Sequence, residues 1–261
     1  MATHPVVSRE EWTKARLALL EREKELTELR DQVSAERRQL PWVRIDKDYR
    51  FATPGGTKKL GELFDGRHTL IVYHFMLGPG WSEGCPSCSY LMDHVDGMQP
   101  HLNARGVTFS AVSRAPLPEI ERFKTRMGWK FPWASSFGSD FNYDFHVSFG
   151  QEDLNRGSVE YNFSTGPAPV EDLPGLSVFA REPSGEVFHT YSGYARGLDI
   201  LLGTYNYLDM TPRGRDEESL AFSMAWVRHH DKYGAGYEVD PEAGYVPPVG
   251  AAVPHCCGCE S

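Results

Sequence analysis

No apolar run in this 261-residue sequence approaches the length a bilayer demands, and the first residues, Met1 to Pro5, lack the charged stretch followed by apolar residues that marks an export signal. These gaps argue against anchoring and export, and they lead to the expectation of a cytoplasmic protein. Cysteine is scarce and odd in number, with 5 in the chain. So few cysteines exclude a disulfide-built scaffold, leave at least one unpaired in a monomer, and point to catalysis or metal binding. The sequon at Asn162 to Ser164 then reads as incidental. Basic residues are in deficit, 27 against 36 acidic for a net charge of −9, and no basic patch stands out, so nucleic acid is not an expected partner. A sustained heptad repeat is also lacking.

Hydrophobic residues make up 40% of the chain, enough to bury a real core. The pattern reads as a helical arm over residues 1–40, an α/β domain over 41–212, and a C-terminal extension over 213–261. In the arm, Ser8 and Glu11 form a capping box, and Trp12, Leu20, Leu26, Leu29 and Val33 recur at broadly helical spacing up to Pro41. This is one helix or two, serving as a surface element or as a homo-oligomer contact. An N-terminal hairpin follows across Thr53 to Thr57. Further on, a strand at Gly106 to Val112 and a helix at Leu117 to Met127 complete a βαβ unit with the strand that precedes the first cysteines. Residues 128–172 lose periodicity and crowd aromatics, among them Trp129, Phe131, Trp133, Phe141 and Phe145. They read as an insertion, facing a substrate or forming a satellite core. Leu176 to Ala180 and Glu186 to Tyr191 read as an antiparallel hairpin, Gly197 to Met210 as a closing helix, and Ser219 to His230 as a short helical piece.

The chemistry concentrates between His68 and His94. A β-branched and aromatic run from Thr69 to Leu77 reads as a buried strand, Gly78, Pro79 and Gly80 end it, and a helical pattern begins after Cys85. Cys85 stands where unsatisfied amides favour an anion, which would lower its pKa below the ~8.5 of a free thiol. Pro86 suits the first helical position, which needs no amide proton. Cys88, about one turn on, is in reach to resolve a mixed disulfide formed by Cys85.

The segment Phe75-Met-Leu-Gly-Pro-Gly-Trp-Ser-Glu-Gly-Cys-Pro-Ser-Cys88, together with Phe131 to Phe145 and Phe188 to Gly197, resembles the bacterial family DUF899, and the likeness runs from about residue 8 to 235. The resemblance implies an α/β thioredoxin-like fold, with a central mixed sheet flanked by helices, and dithiol-disulfide oxidoreductase activity that requires no dissolved cofactor. Leu173 to Phe179 is similar to the thioredoxin-fold pattern in which a cis proline precedes a central strand and faces the redox cysteines, which makes Pro174 the candidate; Trp81 would line the same groove.

Cys85 as nucleophile, Cys88 as resolving thiol and a thiol or disulfide substrate form the leading expectation. The alternative is copper or zinc held by Cys85, Cys88 and His74, although zinc would want a second ligand pair. His74 could instead accept a proton, while Glu83 would oppose a thiolate if it pointed inward. His146 and His189 are weaker candidates. Peroxiredoxins carry P-x-x-x-T-x-x-C, whereas here Gly78 and Ser82 stand at the proline and threonine positions; peroxide chemistry would also need Arg114 or Arg181 as its cation. The tail residues His255, Cys256, Cys257 and Cys259 suit soft-metal capture or electron relay to the main dithiol.

Overall fold

The computed structural model describes residues 4–167 and 170–233. The chain divides into two units, residues 1–42 and 43–261. The first carries a single unbroken helix, α1 (Arg9–Arg37). The capping box forms as the sequence predicts: the Glu11 amide donates to Ser8 Oγ (3.2 Å) and the Ser8 amide to Glu11 Oε2 (2.9 Å). No residue of α1 is buried, and Trp12, Leu19, Leu26, Leu29 and Val33 are all exposed.

The second unit is built on a mixed sheet. Its strands are β1 (Val43–Arg44), β2 (Arg50–Thr53), β3 (Gly56–Lys59), β4 (Thr69–His74), β5 (Val107–Ser113), β6 (Trp133–Ser135), β9 (Gly175–Arg181) and β10 (Val187–Tyr194), while β7 (Val159–Tyr161) and β8 (Ser164–Gly166) pair separately. Across the sheet the order is β1-β10-β9-β4-β5-β6-β2-β3. β4, β5 and β6 run parallel, and β9 lies antiparallel against β4 with His74 opposite Gly175. Between β4 and β5 come α2 (Pro86–Met92) and α3 (Gln99–Ala104), and α4 (Leu117–Arg126) joins β5 to β6. A parallel βαβαβ half followed by an antiparallel hairpin is a thioredoxin-like fold. None of the described helices is long and apolar enough to cross a membrane.

Strand periodicity decides which residue meets which layer. Ile71, Tyr73 and Phe75 face one side, where they pack with Cys88 and Leu91 of α2 and with Ile120 and Phe123 of α4. Leu70 and Val72 face the other, against Phe51, Phe64, Phe141, Phe145 and Phe179. His74 shares that second side, stacked on Phe145 with ring centroids 5.7 Å apart.

Several expectations are corrected here. Within the stretch read as an insertion, Trp133–Ser135 is a sheet strand paired with β5. Trp129, Phe131 and Trp133 belong to the main core, and Phe141 and Phe145 to the core on the opposite face. The expected closing helix is divided into a 3-10 turn, Ala195–Leu201, and α5 (Gly203–Leu208). Of the helical piece expected at Ser219 to His230, only a 3-10 turn at His230–Lys232 forms.

Two outcomes follow from this packing. His74 is fully enclosed, and burial, with His189 adding to it, pushes its pKa down to about 3. The folded imidazole therefore stays neutral where the unfolded one takes a proton near 6.5. Its contribution is intact above pH 6.5 and is lost progressively as pH falls toward 3, about 1.4 kcal/mol per unit. Urea unfolding at pH 7 and pH 5 should show that His74→Gln removes about 2 kcal/mol of the wild-type acid sensitivity. Gly84 is wedged between two rings: a Cβ there would lie 2.8 Å from Phe123 and closer still to Phe75. Gly84→Ala should cost about 1–3 kcal/mol in the same assay, as overpacking of a rigid core does.

Candidate functional site

The loop from β4 to α2 is pinned by backbone on both sides. The Phe75 amide donates to the Val112 carbonyl (2.9 Å), the Ala115 amide to Leu77 (2.9 Å), and the Cys85 amide returns to Met76 (3.0 Å). The Phe75 carbonyl accepts from Ser113 Oγ (2.7 Å), which in turn accepts from Trp133 Nε1–H (3.0 Å). This threading delivers Cys85 to the N-cap of α2, with Pro86 following it. The Cys85 carbonyl accepts from both the amide and the hydroxyl of Ser89, at 3.0 and 2.9 Å.

The two sulfurs are not joined in a disulfide. Cys85 retains 4% of its surface and Cys88 1%, so the dithiol lies beneath the surface with Cys85 the shallower residue. Trp81, also buried, belongs to the same apolar cluster. Its Nε1–H donates to Glu171 Oε1 (2.9 Å), and a Cβ on Gly78 would meet that nitrogen at 2.9 Å, so only glycine leaves room for this indole.

Glu83 does not point at the dithiol as an uncompensated anion. Arg126 Nη1 and Lys232 Nζ each lie 2.7 Å from its carboxylate, and His229 Nδ1 lies 3.0 Å away. Burial pulls the carboxyl upward, but the hydrogen bonds from Arg126 and Lys232 outweigh it and hold the group below its usual range. Arg126 also grips Asp231 through two bonds of 2.8 and 2.9 Å. His229 is buried, its ring edge-on to Phe123, and its Nε2 sits 2.8 Å from the Gly84 carbonyl.

A second polar group stands at the same end of the parallel strands. Arg114, just past β5, donates through Nε to Asp172 Oδ1 (2.7 Å), lies 3.3 Å from Glu171, and donates through Nη1 to the Tyr143 hydroxyl (3.1 Å). Asp172 also accepts from Ser148 Oγ (2.6 Å), and burial raises its pKa even with Arg114 against it. Arg181 belongs to the opposite end of the sheet, donating to the Gly61 carbonyl (3.2 Å), because β9 runs antiparallel to β4.

Pro174 lies at the start of β9, at the edge where β4 ends. No cis peptide occurs among the described residues, so the expected cis bond is corrected to trans. The Pro174 carbonyl accepts from the Tyr161 hydroxyl (2.7 Å), and the Leu173 amide donates to Val147 (2.9 Å), which fixes the approach to β9 by ordinary trans backbone. His74 is likewise corrected: strand alternation turns its ring to the face away from the dithiol, where Nε2 meets Ser177 Oγ at 2.9 Å. It cannot complete a metal set with Cys85 and Cys88, and no group of three or more His, Cys, Asp or Glu residues suited to a metal exists among the described residues. His189 continues the Ser177 network through Ser192 (2.8 Å), and His146 occupies an exposed turn with φ 52°. His255, Cys256, Cys257 and Cys259 lie outside the described residues.

Sequence reasoning missed Arg126, His229, Lys232 and Asp172. One signal was present: the run Arg228-His-His-Asp-Lys232 concentrates titratable groups where the helical piece expected at Ser219 to His230 gives way to coil.

Similar solved structures include bacterioferritin comigratory protein of Xanthomonas campestris, at 14% identity over 63% of this chain and 96% of that one, with a TM-score of 0.43. Peroxidoxin BcpB from Mycobacterium tuberculosis is 12% identical over 63% and 95%, with a TM-score of 0.44. Peroxiredoxin Q of Xanthomonas campestris is 15% identical over 63% and 95%, with a TM-score of 0.43. Comparison with curated proteins gives no match. The family described as "Bacterial protein of unknown function (DUF899)" matches residues 1–233, and the chain belongs to it.

Proposed function

We propose that the chain is a thiol-disulfide oxidoreductase in which Cys85 attacks and Cys88 resolves. The observation that carries this reading is the placement of the two cysteines at the α2 N-terminus. One is the N-cap residue, where unsatisfied amides favour a thiolate, and the second sits one turn further along the same helix; both are buried. An attacking thiolate has to meet its partner, whereas a resolving thiol has only to meet the first sulfur.

In the forward direction the Cys85 thiolate attacks a disulfide R–S–S–R′, forming Cys85–S–S–R and releasing R′S⁻. Cys88 then attacks the Cys85 sulfur, RS⁻ leaves, and the protein holds a Cys85–Cys88 disulfide; two electrons have passed to the substrate. A second dithiol restores the reduced state. Burial of both residues favours small or extended disulfides that can enter beside Trp81 over bulky, rigid ones.

Stopped turnover separates the roles. The reduced protein is mixed with a small disulfide such as oxidised glutathione, and in parallel with hydrogen peroxide. Cys85→Ser should abolish reduction of the disulfide, and Cys88→Ser should accumulate a mixed disulfide visible as a mass increase on Cys85. Full reductase activity in Cys85→Ser would overturn the mechanism, and turnover of peroxide alone would reassign the substrate class.

A further inference from the structure

We propose that His229 is a positioning residue for Cys85, clamping the Gly84–Cys85 peptide from a segment 145 residues away in sequence. This rests on Cys85 being the reacting thiol. The peptide is held at both of its polar atoms. Its oxygen receives the His229 Nε2 contact at 2.8 Å, and its N–H donates to the Met76 carbonyl at 3.0 Å. A carbonyl can only accept, so Nε2 carries the proton in either charge state of the ring. The chain from imidazole through the peptide to Met76 fixes the plane from which the Cys85 side chain departs, and each bond polarises the next.

The clamp is itself braced. Val227, two residues earlier, is buried in the cluster that contains Cys85 and Cys88. His230 Nδ1 lies 2.7 Å from Asp93, just past α2. Lys232 and Arg126 meet at Glu83, and Arg126 reaches on to Asp231. The His229 ring is packed by Phe123 on α4, and a Cβ at Gly84 would lie 2.8 Å from that Phe123 ring. The charged groups facing His229 are therefore Glu83 and Asp231 against Arg126 and Lys232, two anions and two cations. With the ring neutral this set sums to zero, and protonation of His229 adds one positive charge beside the residue that precedes Cys85. A buried imidazole is costly unless its nitrogens are satisfied, and the bond made by Nε2 goes to the peptide entering the dithiol.

The test uses the full chain with Cys88, Cys256, Cys257 and Cys259 all changed to Ser, so that Cys85 is the sole thiol. Its ionisation is followed by thiolate absorbance near 240 nm, which does not depend on reagent access. Gln places an amide nitrogen where Nε2 lies, whereas Asn is too short to reach Gly84. His229→Asn should raise the Cys85 midpoint by about one pH unit, and His229→Gln should return it close to the parent value. A midpoint unmoved by His229→Asn in a folded protein would overturn the assignment, as would equal shifts in both variants.

A measurement on unaltered protein covers the case in which the variants do not fold. If His229 clamps the peptide that enters Cys85, its ring Nε2–H resonance must shift when the dithiol is converted to the disulfide, because the bonded peptide carries the reacting residue. An Nε2–H resonance identical in the two forms would overturn the proposal. Failure of the oxidoreductase reading appears separately, as the absence of a reversible Cys85–Cys88 couple in glutathione buffers.

Discussion

The bond from the Cys85 amide back to the Met76 carbonyl is the constraint on which the rest of the site depends. It closes the loop that leaves β4, so the first cysteine is set by the end of a central strand and not by the loop's own preferences. Elements that surround the loop serve this closure. Ala115 ties Leu77 to the end of β5, Glu119 on α4 accepts from the Gly80 amide at 3.0 Å, and the aromatic pair Phe75 and Phe123 leaves room only for glycine at position 84. Burial then encloses both cysteines, with no disulfide between them.

The sheet divides the molecule's polar groups into two populations with different tasks. At the dithiol end, ionic groups occupy the rim: Glu83 with Arg126 and Lys232 on one side, Arg114 with Asp172 and Glu171 on the other. Both are partly sheltered arrangements in which an acid and a base hold each other in place. Beneath the opposite face, the His74 and His189 rings lie against Phe141, Phe145 and Phe179, and burial lowers the pKa of both. His74 belongs to this second population, and that is why a histidine adjacent in sequence to the redox loop takes no part in it.

What the sequence made legible was whatever is written locally. The start of β4 at Thr69, the Ser8–Glu11 box and the turn between β9 and β10 each depend on neighbours within a few positions and are found where expected, whereas β4 ends at His74 and not at the expected Leu77. β6 was missed because three residues, Trp133–Ser135, are too few to display a period of two, and their aromatic character resembled that of the residues after them. The side taken by His74 depends on which strand face receives α2, a tertiary fact. The Glu83 cluster was hidden for a different reason: its partners come from 43 and 149 residues downstream, and no local pattern announces such a meeting. Pro174 took the commoner isomer because its flanking amide and carbonyl are engaged by Val147 and Tyr161.

The chain of contacts from His74 through Ser177 and Ser192 to His189 also bears on how the sheet is assembled. Ser177 sits opposite Val72 on one neighbour and Ser192 on the other, so its hydroxyl meets both partners in only one alignment of three strands. A slide of β9 by a single residue would turn Ser177 to the far side and leave imidazole and hydroxyl groups stranded among phenyl rings. Aliphatic neighbours tolerate such slippage, since one methyl replaces another at modest cost. This short polar thread does not, and it acts as a proofreader of strand alignment at the centre of an otherwise greasy wall.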